Sequence, residues 1–338
     1  MKNSESPISD QAGITPGTIG YVAIGRNEGE RLVRCLSALK KLSHRVVYVD
    51  SASDDDSVQW ANKNDIQCLE LDMDRPFTAA RARNEGFAAL MAAYPDTDLV
   101  MFIDGDCEVD PEFPGKAAAK IAEEENLALV TGRCKELFPE KTPYNQLCDL
   151  EWIGPIGEID ACGGIFMIRR TSFEAIKGFN EKVIAAEDDE LCIRLRAAGY
   201  KLWRIDHTLC LHDADMHHFS QWWHRARRAG YAYALVGGLH EGYFSAPRRR
   251  AWFWAGALPL VILGLAPFTA GFSLVLTGLY ILSFIRTRAR LITEGIGANQ
   301  ASLHARFLVL AKFPNLLGIV EYHLKRMTGR TVEIVEYK

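Results

Sequence analysis

The stretch Leu99-Val100-Met101-Phe102-Ile103-Asp104-Gly105-Asp106 decides how this chain is read: five apolar residues in a row, then two carboxylates one residue apart. A short apolar run closed by turn residues has the length of a buried strand. When such a strand ends in acids at the carboxyl edge of a sheet, it places hard oxygen ligands where open α/β sheets bind their ligands. The pair suits Mg²⁺ or Mn²⁺, whose remaining coordination positions phosphate oxygens can fill. Asp-Gly-Asp is also ordinary turn chemistry. The neighbouring segments therefore decide between the two.

Working outward, strands alternate with helices. Residues 21–24 read as a strand, followed by helical periodicity over 30–39 with Leu32, Val33, Leu36 and Leu39 on one face. Residues 46–49 form a second strand running into Asp50-Ser51-Ala52-Ser53-Asp54, small polar residues that turn the chain and cap a helix from Ser57. A short third strand is expected over 66–71, a helix over 79–93 and the fourth strand over 99–103. Beyond it come a helix over 114–125, a strand over 127–131 and an irregular region through Trp152. A strand over 165–168, preceded by Cys162-Gly163-Gly164, and a helix over 188–198 complete the pattern. Repeated βα units predict an α/β architecture: a mostly parallel sheet with flanking helices and ligands at the strands' carboxyl ends.

The formal charge of -4 and the pI near 6.2 give no reason to expect nucleic acid as a partner. Eight scattered cysteines without a C-x-x-C pair read as buried thiols in a reducing compartment. Residues 1–18 are polar and lack a signal peptide's apolar core, so they read as a flexible cytoplasmic leader. Residues 252–285 hold no charged side chain and are bracketed by Arg248-Arg249-Arg250 and by Arg286, Arg288 and Arg290. This is long for one span of about 20 residues and short for two. Pro259 and Pro267 interrupt it, and arginines at both ends favour a hairpin with both ends on the cytoplasmic side. A buried soluble helix pair is the alternative. Residues 301–324 mix apolar residues with Arg306 and Lys312, as in an amphipathic helix on a bilayer surface or a soluble C-terminal helix.

Six segments occur in order: IGRNEGERLVRCLSAL, VVYVDSASDDDS, TAARARNEGF, MFIDGDC, ACGGIFMIRR and AAEDDELCIRLRAAGY. Their succession over roughly residues 20–235 resembles family 2 glycosyltransferases of the GT-A fold, especially bacterial enzymes of surface or exopolysaccharide assembly. Those enzymes also share the RPFTAARARN stretch, the CDLEW segment and the closing Glu336-Tyr337-Lys338. The resemblance implies a GT-A domain over 19–240 and a membrane-associated helical region over 241–338.

The resemblance also implies roles. Asp50 contacts the base or ribose of a UDP- or GDP-type donor, with Asn27 and Glu28 in the same pocket; a helix cap is the plainer role for Asp50. Arg83 neutralises diphosphate, or forms a surface salt bridge. Asp104 and Asp106 hold Mg²⁺ or Mn²⁺, with His212 as a further metal or diphosphate contact or as a structural histidine. Asp188, beside Glu187 at a helix start, is the general base of an inverting displacement; acidity at a helix N-terminus also has a purely structural explanation, and it extends through Asp189. Gly163 and Gly164 fall on the acceptor side. Gln221-Trp222-Trp223-His224-Arg225 partly resembles the Gln-x-x-Arg-Trp element of processive members, but Ala226 stands where the final Trp belongs. Trp222 is then an acceptor contact or an interfacial anchor.

The expected function is a metal-dependent hexosyl transfer at the cytoplasmic face of a bacterial inner membrane, onto a polyprenyl-linked saccharide. A sugar nucleotidyltransferase is the rival enzyme, although Gly25-Arg26-Asn27-Glu28-Gly29 is a poor phosphate loop. A catalytically silent membrane scaffold of the same fold is the non-enzymatic alternative.

Overall fold

The computed structural model describes residues 18–329. The expected leader, apart from Thr18, and the Glu336-Tyr337-Lys338 ending lie outside them. The first half runs β1 (Ile19–Gly25), α1 (Glu30–Leu42), β2 (Val46–Asp50), α2 (Ser57–Lys63), β3 (Gln67–Glu70), α3 (Ala79–Ala93), β4 (Leu99–Asp104), β5 (Cys107–Val109), α4 (Phe113–Glu123) and β6 (Leu127–Glu136). It continues with α5 (Pro143–Glu151), β7 (Gly157–Glu158), β8 (Phe166–Arg169), α6 (Arg170–Ala175), α7 (Glu187–Ala197), β9 (Lys201–His212) and α8 (Phe219–Leu239).

The strands make one nine-stranded sheet in the order β3-β2-β1-β4-β8-β6-β9-β5, with β7 against β9. The β3-β2-β1-β4 half is parallel throughout. The other half is mixed: β8 runs antiparallel to β4 and β6, and β9 is parallel to β6. Side chains alternate across the central strands. In β4, Leu99, Met101 and Ile103 enter one core with Leu32, Leu36 and Leu39 of α1, while Val100 and Phe102 enter the opposite one. There Phe102 meets Phe166, Phe173 and Phe179 at ring separations of 5.2–5.5 Å. Burial on both faces explains why these strands read as continuous apolar runs.

Several elements were not legible as such, among them β5, β7, α6 and α8. The region before Trp152 contains α5, started by Thr142, whose hydroxyl accepts from Asn145 N at 3.1 Å. Strand β6 extends to Glu136, and β9 runs for 12 residues through a polar stretch. Their pairing carries several register shifts. Bulged strands break strict alternation and hide from periodicity.

Beyond α8 the chain forms α9 (Ser245–Ala251), a π-helical turn over Trp252–Ala257, α10 (Leu258–Leu265), a 3₁₀ segment over Phe272–Thr277, and α11 (Gly278–Thr293). Then follow α12 (Ala298–Leu310) and α13 (Lys312–Thr328). Pro259 does not break the first arm as expected. It sits at the start of α10, directly after the π-helical turn, so the wider turn absorbs its missing N–H. The reversal falls over residues 266–271, where Ala270 and Gly271 take positive φ. Two helical stretches are long and apolar enough to cross a membrane: Phe272–Thr293 and Ala298–Thr328. The second lies partly against α8. A Cβ on Gly230 would stand 2.0 Å from Asn315 O, and one on Gly318 2.0 Å from Arg227 O. These two glycines let the α8 and α13 backbones touch, and Arg227 pairs with Glu321 at 2.8 Å across the crossing.

Candidate active site

Two clefts open at the carboxyl edge of the sheet and share a floor of Asp104, Asp106 and His212. The first, of about 490 Å³, is bounded by Asn27, Glu28, Ser51, Arg83 and Arg228. The second, of about 460 Å³, is bounded by Gly163, Gly164, Asp188, Trp152 and Arg225. Two substrates can therefore approach one set of acids from different sides.

Strand pairing assembles the floor. Asp104 ends β4, and Gly105 donates its N–H to Ile24 O at 2.8 Å, turning the chain so that Asp106 enters β5. Cys107 of β5 is in register with His212 at the end of β9, which brings His212 Nε2 to 3.4 Å from Asp106 Oδ2. On its other side His212 Nδ1 lies 3.4 Å from Glu136 Oε2. Glu136 is held by Asn145 Nδ2 at 3.0 Å and Ala214 N at 3.1 Å. Burial disfavours charge on His212, but Asp106 and Glu136 outweigh it and hold its pKa well above the ordinary histidine value.

This donor set fits a hard divalent cation. Two carboxylates and an imidazole converge, and the ligand atoms of Asp106, Cys107 and His212 lie within 4.8 Å of one another. Burial raises the Asp104 carboxyl, Arg83 opposes that rise, and the like charge of Asp106 adds to it. Like charges crowded in this way are the condition a bound cation relieves.

Arg83 of α3 is almost fully buried and bridges the site's acids. Its Nη2 donates to Asp104 Oδ1 at 2.8 Å and its Nη1 to Glu187 Oε1 at 2.7 Å. Both terminal nitrogens are thus engaged by protein carboxylates. Arg83 also borders the first cleft, beside Asp104 and Asp106. Gly164 permits the arrangement, because a Cβ there would stand 2.9 Å from Arg83 Nη2 and 3.3 Å from Asp104 Oδ2.

The acidic run at the start of α7 sorts itself by partners. Glu187 is taken by Arg83, Asp189 accepts from Tyr243 OH at 2.9 Å, and Glu190 pairs with Arg194 at 2.7 Å. Among the described residues, Asp188 alone of the four has no side-chain partner, and it borders the second cleft. Burial, then the charges of Asp189 and Glu187, push its pKa up to about 7. Burial would also raise Glu187, but Arg83 holds that carboxyl below its usual range.

On the other cleft, Asn27 adopts a positive φ, and its Oδ1 accepts from Asp54 N at 2.9 Å. Glu28 lies 2.9 Å from Arg31. Asp50 is only 1% exposed. Its carboxylate accepts from Tyr48 OH at 2.7 Å, Ser53 N at 2.7 Å and Ser53 Oγ at 2.6 Å. In this structure Asp50 shapes the turn, and Ser51 takes its expected place in the cleft wall. Besides Arg83, the guanidinium groups around this cleft belong to Arg26, Arg31 and Arg228, which the sequence did not single out.

Trp222 is also displaced from its expected setting. It is 3% exposed and packs edge-on against Phe307 of α12 at 4.7 Å, in a cavity beyond the second cleft. Burial rules out an interfacial anchor. Gln221 accepts from His218 N at 2.9 Å and caps α8, while Arg225 pairs with Glu151.

Residues 24–177 match the model for glycosyl transferase family 2, and residues 150–221 match the model described as the N-terminal domain of galactosyltransferase. No curated protein matches the sequence. Among solved structures, the mannosyltransferase PcManGT from Pyrobaculum calidifontis, in complex with GDP-Man and Mn²⁺, aligns with 91% of this chain and 88% of its own at a TM-score of 0.60 and 19% identity. TarS residues 1–349 from S. aureus align with 93% of this chain and 92% of that one, at a TM-score of 0.49 and 14% identity. The fold is that of a GT-A glycosyltransferase, a class that acts on nucleotide sugars. Within that class, the match over residues 24–177 is to glycosyl transferase family 2 and supports membership of that family.

Proposed function

We propose that the protein is a metal-dependent, inverting hexosyltransferase that moves one sugar from a UDP- or GDP-type donor to a lipid-linked saccharide in bacterial surface or exopolysaccharide assembly. The observation that carries this reading is Asp188: a carboxylate with no side-chain partner among the described residues, on the second cleft, across the shared floor from the first. The donor occupies the cleft of Asn27 and Glu28, with its diphosphate toward Asp104, Asp106 and His212. The acceptor hydroxyl enters past Gly163 and Gly164. Asp188 takes the hydroxyl proton as the oxygen bonds to the anomeric carbon, and the bond to the diphosphate oxygen breaks on the opposite side. One displacement inverts the configuration. A divalent cation held by the floor supplies Lewis-acid stabilisation of the leaving diphosphate. Arg83 keeps Asp104 and Glu187 ionised and fixed relative to each other.

The catalytic unit in this reading spans residues 19–240, and residues 241–338 hold it at the cytoplasmic face of the inner membrane. Support comes from the exposed apolar side chains of Leu263, Phe268, Phe272 and Val275, which are 68–85% exposed. Large apolar side chains left open together in this way mark a membrane or partner contact. The mannosyltransferase of the same fold was solved with GDP-Man and Mn²⁺, the kind of donor and cation proposed for this chain.

Thermal stabilisation of the detergent-purified protein by GDP, UDP and their sugars, with Mn²⁺, Mg²⁺ or EDTA, tests the reading. A cation-dependent shift for one nucleotide series, absent in Asp106→Ala, is expected. The anomeric configuration of the transferred sugar, read by NMR, should be opposite to the donor's. If no nucleotide stabilises the protein with either cation, the scaffold alternative replaces this one.

A further inference from the structure

Behind the second cleft lies another cavity, of about 320 Å³, enclosed by α8, α12 and α13. Glu151 and Arg225 border both spaces, so their ion pair forms the wall between them. Two polar atoms of the cavity lack a partner among the described residues. His304 is 7% exposed, and its Nδ1 is buried with no hydrogen bond. Lys312 is half-buried and, among the described residues, makes no hydrogen bond or ion pair; the charges that act on it are those of Arg250 and Arg290, both positive. A buried ammonium among cations is unfavourable unless an anion joins it. The remaining lining is aromatic or aliphatic, with Trp222, Tyr233 and Phe307 prominent.

Anion recognition and an apolar wall thus share one small space. Its wall includes His304, Phe307, Leu308, Lys312 and Asn315 of Ala298–Thr328, one of the stretches apolar enough for a membrane, and Glu151 and Arg225 link it to the second cleft. We propose that Arg225, His304 and Lys312 bind the phosphate or diphosphate of an isoprenoid-type lipid carrying the acceptor sugar, with Trp222, Tyr233 and Phe307 against its first apolar units. The inference rests on the lipid-linked acceptor of the preceding reading and names the residues that select it. A phosphoryl group seated there leaves the sugar to extend past Glu151 toward Asp188. The ammonium of Lys312 supplies charge and Arg225 a planar fork, a pairing suited to phosphate oxygens. The single carboxylate lining the cavity, Glu151, is already neutralised by Arg225.

The test uses full-length protein in detergent micelles with EDTA, titrated calorimetrically with farnesyl diphosphate, inorganic pyrophosphate and farnesol. Farnesyl diphosphate is expected to bind saturably, about tenfold more tightly than pyrophosphate, and farnesol not to saturate. Lys312→Met should weaken farnesyl diphosphate about tenfold or more, Lys312→Arg should largely restore it, and His304→Phe should weaken it as well. Asp106→Ala should leave it unchanged. Binding unaffected by Lys312→Met and His304→Phe overturns the proposal. Binding lost in Asp106→Ala overturns it too, since the diphosphate then sits on the shared floor. Pyrophosphate binding as tightly as farnesyl diphosphate overturns the lipid assignment. The metal-free melting temperature reports on folding of Asp106→Ala, and nucleotide stabilisation with Mn²⁺ reports separately on the donor cleft and on folding of the Lys312 and His304 variants. Its absence in the wild type defeats the transferase reading, whereas its persistence with no farnesyl diphosphate binding defeats this inference alone.

Discussion

Arg83 Nη2 donates to Asp104 Oδ1 at 2.8 Å, and the same guanidinium holds Glu187 at 2.7 Å, so one buried cation joins the end of β4 to the start of α7. Removing one partner of a buried pair strands the others. Arg83→Met should therefore cost about 3–5 kcal/mol of stability and abolish transfer. Arg83→Lys should keep part of the stability, but its single nitrogen cannot bridge both acids, so activity should remain very low. Chemical denaturation beside turnover checks both. A fully active Arg83→Lys protein would show that the bridge is dispensable.

Asp188 sets the pH dependence. Its pKa lies near 7 in the folded protein, above the ordinary aspartate value, so the carboxyl is protonated below that pH and cannot accept a proton from the acceptor. The rate should rise with pH through about 7 and then level. Asp188→Asn should lower turnover by roughly a thousandfold or more while leaving nucleotide stabilisation in place. Because the folded state binds this proton more tightly than the unfolded chain, stability is lost as pH rises from the ordinary aspartate range through about 7, and the full cost is present above it. Asn at this position should then be neutral or stabilising at pH 8. A pH–rate profile that is flat from 5.5 to 8.5 excludes Asp188 as the base.

Removal of the cation site should separate binding from folding. Asp106→Ala relieves the charge crowding on Asp104, so the metal-free protein should melt no lower than wild type. Its Mn²⁺-dependent shift should vanish. His212→Gln keeps a polar group between Asp106 and Glu136 and should weaken Mn²⁺ by about 10–100-fold. Glu136→Gln, one step further out, should act in the same direction through His212. Calorimetric Mn²⁺ titration in the presence of nucleotide distinguishes the three.

How much of this was legible in the sequence depends on which interaction fixes each residue. The βα units and the end of β4 were readable because burial on both sheet faces demands unbroken apolar runs. Asp104 and Asp106 follow from chain position alone. The role of Asp50 was not readable, since it depends on whether the hydroxyls of Tyr48 and Ser53 fill its lone pairs. Glu136 was hidden for a similar reason: it reaches His212 only through the register of β6 with β9, across bulges that periodicity does not report. Its place near an apolar strand's end was the one available signal. Within the acidic run, the resemblance pointed to Asp188 while acidity extended through Asp189, and the hydroxyl of Tyr243, more than 50 residues away, engages Asp189.

Gly164 should tolerate no side chain. An added methyl meets Arg83 Nη2 at 2.9 Å and Asp104 Oδ2 at 3.3 Å, so Gly164→Ala must lengthen the Arg83–Asp104 contact or shift the loop. The stability loss should be about 1–3 kcal/mol, typical of overpacking. Transfer should suffer more than donor binding, because the loop also borders the acceptor cleft. Gly163, with its positive φ of 78° and open space around its Cβ, should show a backbone penalty of about 1 kcal/mol without the clash. Comparing the KM for acceptor and for donor in Gly164→Ala decides whether the lesion falls on the acceptor side.

The apolar arms should govern where the protein resides. Only 6% of the apolar window in Phe272–Thr293 is buried by the rest of the chain, and Leu263, Phe268, Phe272 and Val275 face outward around the reversal. In a bilayer these side chains are satisfied; in water they drive aggregation. A lysine at the centre of a membrane helix costs about 3 kcal/mol, so Leu263→Lys with Val275→Lys should shift the protein from floating with liposomes to remaining in the soluble fraction. Neither residue touches the clefts, so nucleotide stabilisation should persist in the released protein. Transfer to a water-soluble acceptor should persist as well, while transfer to a lipid-anchored one should fall, because the substrate stays in a membrane the enzyme no longer binds. Flotation equal to wild type would place the membrane contact elsewhere, with Ala298–Thr328 the next segment to alter.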